Sequence, residues 1–223
     1  MEPDSPRCYA DWSKRCPRCW MHLPLCFCDQ FEPAPVTTRV VVVMDERESR
    51  QTTNTSHLVT LTLEGAEIRV RSRHDHDGVS VAGLDEPGRR IWMLYPGPHA
   101  RVLTPDDLTA SLEPITLIVP DGTWRASSRM IRRVPWLRGL PRVQLPEGPP
   151  ARRWLRRPPR PGALPTLEAI GRAMGILEGE EVEEALARAL DVMIDRHLWS
   201  KGQLPAERVT GGIPESAKAA MGR

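Results

Sequence analysis

No stretch of this 223-residue chain approaches the ~18 consecutive apolar residues of a membrane-spanning helix. The opening MEPDSPRC lacks the basic start and apolar centre of a secretion signal, so a soluble, cytoplasmic protein is expected. No G-x-G-x-x-G follows a strand-like run and no G-x-x-x-x-G-K-[ST] occurs, which leaves nothing to support a dinucleotide or nucleoside triphosphate site. A G-x-S-x-G nucleophile elbow is missing as well. The 23 prolines punctuate the chain without forming a repeat. The most telling shortage is local. Residues 125 to 160 hold no lysine and one acid, Glu147.

That same window holds eleven arginines: Arg125, Arg129, Arg132, Arg133, Arg138, Arg142, Arg152, Arg153, Arg156, Arg157 and Arg160. Its net charge is therefore +10, and the overall charge of +2 leaves −8 for the rest of the chain. Guanidinium forks match phosphate oxygens in pairs and stack on bases, so the concentration points to a polyanionic partner. A nucleic acid is expected on Arg125, Arg129, Arg132, Arg133, Arg152, Arg153, Arg156 and Arg157.

Cysteines supply the second signal. Cys16 and Cys19 form C-x2-C, six residues intervene, and Cys26 and Cys28 form C-x-C. Two thiolate pairs this close can surround one tetrahedral zinc, and four protein ligands leave no position open for chemistry. A structural zinc knuckle over residues 1–34 is expected, followed by a catalytic domain over 35–223. Cys8 is left over, and His22 lies inside the knuckle without being needed as a ligand. His74-Asp75-His76-Asp77 has ligand-type residues, but neighbours in sequence alternate faces, and no metal is expected there.

Beyond the knuckle, apolar runs alternate with amphipathic ones. Strands are expected at 40–44, around Ile68 and Val70, and at 91–95, 115–119 and 143–145. Helices are expected from Thr53-Asn54-Thr55 through Leu61, and over 124–134, 166–177 and 180–199. In the last of these, His197 falls at helical spacing with the packing residues. Such alternation gives an α/β domain with a mostly parallel sheet flanked by helices, and such sheets bind ligands at the carboxyl ends of their strands.

One of those ends reads Pro120-Asp121-Gly122-Thr123-Trp124 and runs straight into the arginine-rich segment. A single carboxylate there can take a proton as a general base, hold a positively charged ligand, or cap the following helix. Trp124 offers a flat face for an adenine, a target base or the core. Thr166 opens a helix, as an ordinary N-cap or as the start of a terminus whose N–H groups receive a carboxylate.

Taken in order, these motifs resemble those of the DTW-domain family. They are the cysteine knuckle, Thr53-Asn54-Thr55, Leu94-Tyr95-Pro96-Gly97, Asp121-Gly122-Thr123-Trp124 followed by arginine, and Leu164-Pro165-Thr166-Leu167-Glu168-Ala169. The family pattern expects a histidine near the glutamate after the first strand, where this chain has Met44-Asp45-Glu46. The resemblance implies a SPOUT-like fold with a C-terminal knot that binds S-adenosylmethionine. It implies transfer of the 3-amino-3-carboxypropyl group to N3 of a tRNA uridine, with release of methylthioadenosine, by a protein expected to be monomeric. Asp121 and Asn54 are then the expected catalytic residues. Leu94, Tyr95, Pro96, Gly97, Asp121, Gly122, Thr123, Trp124, Leu145, Leu164, Thr166, Leu167 and Glu168 are the expected cofactor contacts. A methyl-transferring relative, or an RNA-binding protein without activity, would share much of this sequence.

Overall fold

The computed structural model describes residues 12–71, 82–84, 86–155 and 162–221. Cys8, the His74–Asp77 run, Arg156, Arg157 and Arg160 lie outside the described residues. Strands β1 to β6 are Arg39–Asp45, Glu67–Arg71, Arg90–Leu94, Arg101–Val102, Ile115–Asp121 and Arg142–Gln144. Helices α1 to α8 are Glu46–Ser49, Val59–Thr62, Asp106–Thr109, Trp124–Arg133, Pro135–Gly139, Thr166–Glu178, Glu180–Ser200 and Glu215–Met221. Among these helices none is long and apolar enough to cross a membrane.

The strands form one sheet in the order β2-β1-β5-β3-β6-β4. Every pairing in it is parallel. The expected mostly parallel α/β architecture is what the chain adopts. The reason lies in β1 and β5, whose β-branched residues are buried on both faces, as interior parallel strands require. Alternate residues of β1 serve different layers: Val40, Val42 and Met44 pack under α6 and α7, while Val41 and Val43 pack under α4 and α5.

From β1 the chain first moves outward to β2. It then crosses to β3 on the far side of β5, so strand order reverses around β5. A reversal of this kind opens a crevice at the carboxyl ends. Asp121, the last residue of β5, is set beside Met44 of β1 at that crevice.

The cysteine segment packs into the main core. Cys16, Cys19, Met21, Leu25, Phe27 and Cys28 share one apolar cluster with α6, α7 and the strands. Short elements account for most differences from the sequence expectation. β4, α1, α3, α5 and α8 have no counterpart in it, and β5 runs two residues past Val119.

Candidate active site and metal centre

At the carboxyl ends of β1, β3, β5 and β6 lies a cavity of about 1100 Å³. That is just above the usual range of about 300–1,000 Å³ for a small-molecule site. Its walls include Leu94, Tyr95 and Pro96 after β3, Asp121 to Trp124 after β5, Leu145 after β6, and Leu164 to Thr166 before α6. Segments predicted from sequence at separate places in the chain thus meet in one. Leu167 and Glu168 do not join them. Leu167 is buried in the core. Glu168 accepts from the backbone N–H of Arg152 and pairs with Arg172 at 2.6 Å. Gly97 is also outside the cavity wall, with its N–H 3.4 Å from Gln144 Oε1.

Asp121 is the cavity's organising charge. It is buried, and its carboxylate accepts from three side chains. Asn54 Nδ2 donates to Oδ2 at 2.6 Å and Thr166 Oγ1 donates to Oδ1 at 2.5 Å. Ser56 Oγ lies 2.8 Å from Oδ2 and 2.7 Å from Asn54 Oδ1, so its one proton is shared between them. Asn54 Oδ1 also accepts from the backbone N–H of Ser56 at 2.9 Å, which fixes the amide's orientation. Asn54 thus lines the cavity with its amide held against Asp121.

This geometry also decides the capping alternatives left open for Asp121 and Thr166. Asp121 does not cap α4; Thr123 does, accepting from the N–H of Ala126 at 3.3 Å. Thr166 is the first residue of α6 behind Pro165 at the cap, and its hydroxyl is directed to Asp121 instead. Gly122 separates carboxylate from cap at φ 149°, a backbone conformation that glycine adopts without strain.

Trp124 opens α4 and is 46% exposed at the cavity's edge. Its ring stacks on Tyr95 with centroids 4.8 Å apart and planes 15° from parallel. Tyr95 is fixed in turn by a hydroxyl contact to Ser128 at 3.0 Å. The two rings make an aromatic ledge. From it the exposed side chains of Arg125, Arg129, Arg132 and Arg133 run along α4, whose other side buries Ser127, Met130 and Ile131.

Arg152 and Arg153 turn toward α7, and Arg153 also lines the cavity. Arg153 pairs with Asp195 at 2.6 Å, and both arginines approach Asp191 at 3.5 Å. Arg172 was missed by sequence reasoning. It reaches over the cavity wall to the carbonyls of Pro149 and Pro150 at 2.7 and 3.0 Å, fixing the proline-rich loop against α6. Ser56 was missed too, since a serine two residues after Asn54 carries no distinctive signal.

The four predicted zinc ligands converge. All four sulfurs lie within 4.8 Å of one another, with Cys16–Cys28 at 3.6 Å and Cys19–Cys26 at 3.8 Å. Sulfurs on a tetrahedron with Zn–S bonds of about 2.3 Å stand about 3.8 Å apart, whereas a disulfide requires about 2.05 Å. The set fits a metal ion and not a disulfide. Trp20, next to Cys19, is the sole described non-glycine residue with positive φ, at 58°. Its ring lies flat on His57 at 3.8 Å. His57 is buried directly behind Asn54 and Ser56, and burial lowers its pKa to about 4 despite the carbonyls of Cys19 and Asn54. Neither ring nitrogen has those carbonyls in true hydrogen-bond geometry, so the imidazole is neutral at pH 7.

The DTW domain model matches residues 13–198, from the first turn of the knuckle to the end of the long helix. The chain belongs to the DTW-domain family. It is similar to tRNA-uridine aminocarboxypropyltransferase 2 of Drosophila melanogaster, at 26% identity over 80% of this chain and 73% of that protein. The enzyme of the same name from Macaca fascicularis is 26% identical, over 85% of this chain and 65% of that protein. Among solved structures, the SAM-dependent rRNA:acp-transferase of Vulcanisaeta distributa aligns at TM-score 0.47 and 21% identity, over 84% of this chain and 90% of that one. The DTW match takes in the knuckle, the Asp121 cluster and the aromatic ledge alike.

Proposed function

We propose that this DTW protein transfers the 3-amino-3-carboxypropyl group of S-adenosylmethionine to N3 of a uridine in tRNA. One observation carries the reading. A buried carboxylate, triply held at the end of the central strand, lies in a cavity whose edge is an aromatic ledge leading onto an exposed arginine row. Similarity to tRNA-uridine aminocarboxypropyltransferases supports the reaction class.

S-adenosylmethionine supplies a sulfonium-activated γ-carbon. Uridine N3 forms the new N–C bond as the S–Cγ bond breaks, methylthioadenosine leaves, and the N3 proton passes to solvent. Leu94, Leu145, Leu155 and Leu164 give the cavity apolar walls suited to its adenosine. First-turn N–H groups of α6 suit its carboxylate. Asp121 has about four acceptor positions, of which the protein fills three. It is best suited to act as a fixed negative charge toward the sulfonium, with one acceptor position left for the ligand. Trp124 takes the uracil face, and Arg125, Arg129, Arg132 and Arg133 take the backbone phosphates. Holding both reactants in line supplies a large part of the rate.

The test is incubation of the protein with unmodified tRNA and S-adenosylmethionine, followed by mass analysis of nucleosides and by-product. Aminocarboxypropyl-uridine with methylthioadenosine is expected. S-adenosylhomocysteine with a methylated base would overturn the transfer assigned here.

A further inference from the structure

The largest fully buried side chain in the described core is a cation, Arg196 of α7, at 1% exposure. Its Nη1 donates to the carbonyls of Cys26 at 2.7 Å and Leu25 at 3.1 Å, and Nη2 to that of Gly211 at 3.4 Å. The guanidinium lies 5.7 Å from the centre of the Phe27 ring. Its Nε has no partner. Among the described residues no carboxylate stands within ion-pair distance of it. The adjacent Asp195 is engaged by Arg153 and Thr210, and Asp29 attracts Arg196 only from an exposed position.

Carbonyl dipoles and a ring face ease the burial of such a charge but do not cancel it, and an uncompensated buried ion is costly. The missing charge is in the knuckle. Four thiolates around one divalent zinc leave a formal charge of −2. Cys26, whose carbonyl Arg196 grips, is one of the four.

We propose that Arg196 is the counter-ion of the zinc–thiolate centre, a positioning residue that strengthens metal binding and depends on the metal for its own burial. The dependence is reciprocal by linkage: whatever the guanidinium adds to zinc affinity, zinc adds to the stability of the packed α7. The proposal rests on the metal centre and is independent of the reaction assigned to the cavity.

The experiment uses the full chain with Arg196 unchanged or replaced by Lys, Gln or Met. Zinc affinity is measured by competition with a chromogenic chelator at one pH, and melting temperature with and without zinc. Loss of the charge in Gln and Met should weaken zinc binding on the order of 10- to 100-fold, the range for residues that support metal ligands from outside. Lys keeps the charge and should bind zinc about tenfold more tightly than Gln, although Gln keeps a donor for the Leu25 and Cys26 carbonyls. Stripping zinc should lower the melting temperature less in the Met variant than in the parent. Equal zinc affinity in Lys and Gln would overturn the proposal, leaving Arg196 as a backbone tie. So would a parent protein that takes up no zinc. If the Met variant fails to fold, the Lys–Gln comparison decides alone.

Discussion

At the scale of single residues, Asp121→Asn separates charge from shape. The amide oxygen can still accept from Asn54 and Ser56, and its NH2 can donate to Thr166, whose hydroxyl rotates to accept. The variant should therefore fold with a melting temperature within a few degrees of the parent. Affinity for S-adenosylmethionine should fall at least tenfold, while affinity for neutral methylthioadenosine stays the same. Calorimetry with both ligands reads the difference. Equal loss for both would remove the sulfonium role, and recovery of turnover at high pH would make Asp121 a base. The importance of this carboxylate was legible because an acid at the end of a β-branched run is out of character. Its partners were not legible. Asn54 and Thr166 lie 67 and 45 residues away in sequence, and only the parallel sheet brings them together. The capping alternative fails for a physical reason as well. Pro120 has no N–H for the ladder and reads as a strand end, yet it pairs opposite Val43 inside the sheet.

At the scale of elements, α4 and the segment around 152 divide the arginines into two kinds. Replacing Arg125, Arg129, Arg132 and Arg133 with Gln should weaken tRNA binding at least tenfold. It should also flatten the salt dependence, by about 0.9 log unit for each phosphate that is no longer neutralised. S-adenosylmethionine affinity should not move. Filter binding across a salt series measures this, and an unchanged slope would reduce the helix to a solvated surface. Arg153→Ala should do the opposite, sparing tRNA affinity but lowering the melting temperature by several degrees, because the buried Asp195 is left without its cation. Arginine count alone could not make this distinction. The sequence marked a helix over 124–134 but not which arginines stay exposed, and pairing with Asp191 and Asp195 depends on how α7 crosses the loop. The Trp20–His57 stack is a second case. Nothing in the sequence spacing places a knuckle tryptophan behind the loop that holds Asp121.

At the scale of the whole molecule, the metal and the cavity share one core. Removing zinc by chelation should lower the melting temperature, and hydrogen exchange should quicken over residues 53–58 as Trp20 withdraws from His57. Exchange confined to the cysteine segment would show that the two are uncoupled. Acid should act through the same pair of rings. His57 is held near pKa 4 in the folded chain against 6.5 when exposed. Between these values the unfolded chain binds a proton that the native chain does not, so stability falls as pH drops from about 6.5 through about 4. Urea midpoints at pH 7 and pH 5 should show a steeper decline for the parent than for His57→Gln. The inner strands were legible because buried parallel strands leave apolar runs, whereas the short, exposed β4 leaves none. The sharing of the sheet's core by the knuckle was not legible, since four cysteines specify their own closure and say nothing of what they pack against.

That sharing also sets a timetable. The hydrogen bonds from Arg196 to Leu25 and Cys26 join points 171 and 170 residues apart. A ribosome adding 5–20 residues each second needs about 10–30 s to make the intervening chain. Throughout that interval the nascent thiols have no α7 to roof them and stand open to oxidants and to competing metals. Chaperone hold-up or a zinc-starved cell would therefore strike during synthesis, before the sheet exists to protect them. A segment made long before α7 is thus among the last to be finished.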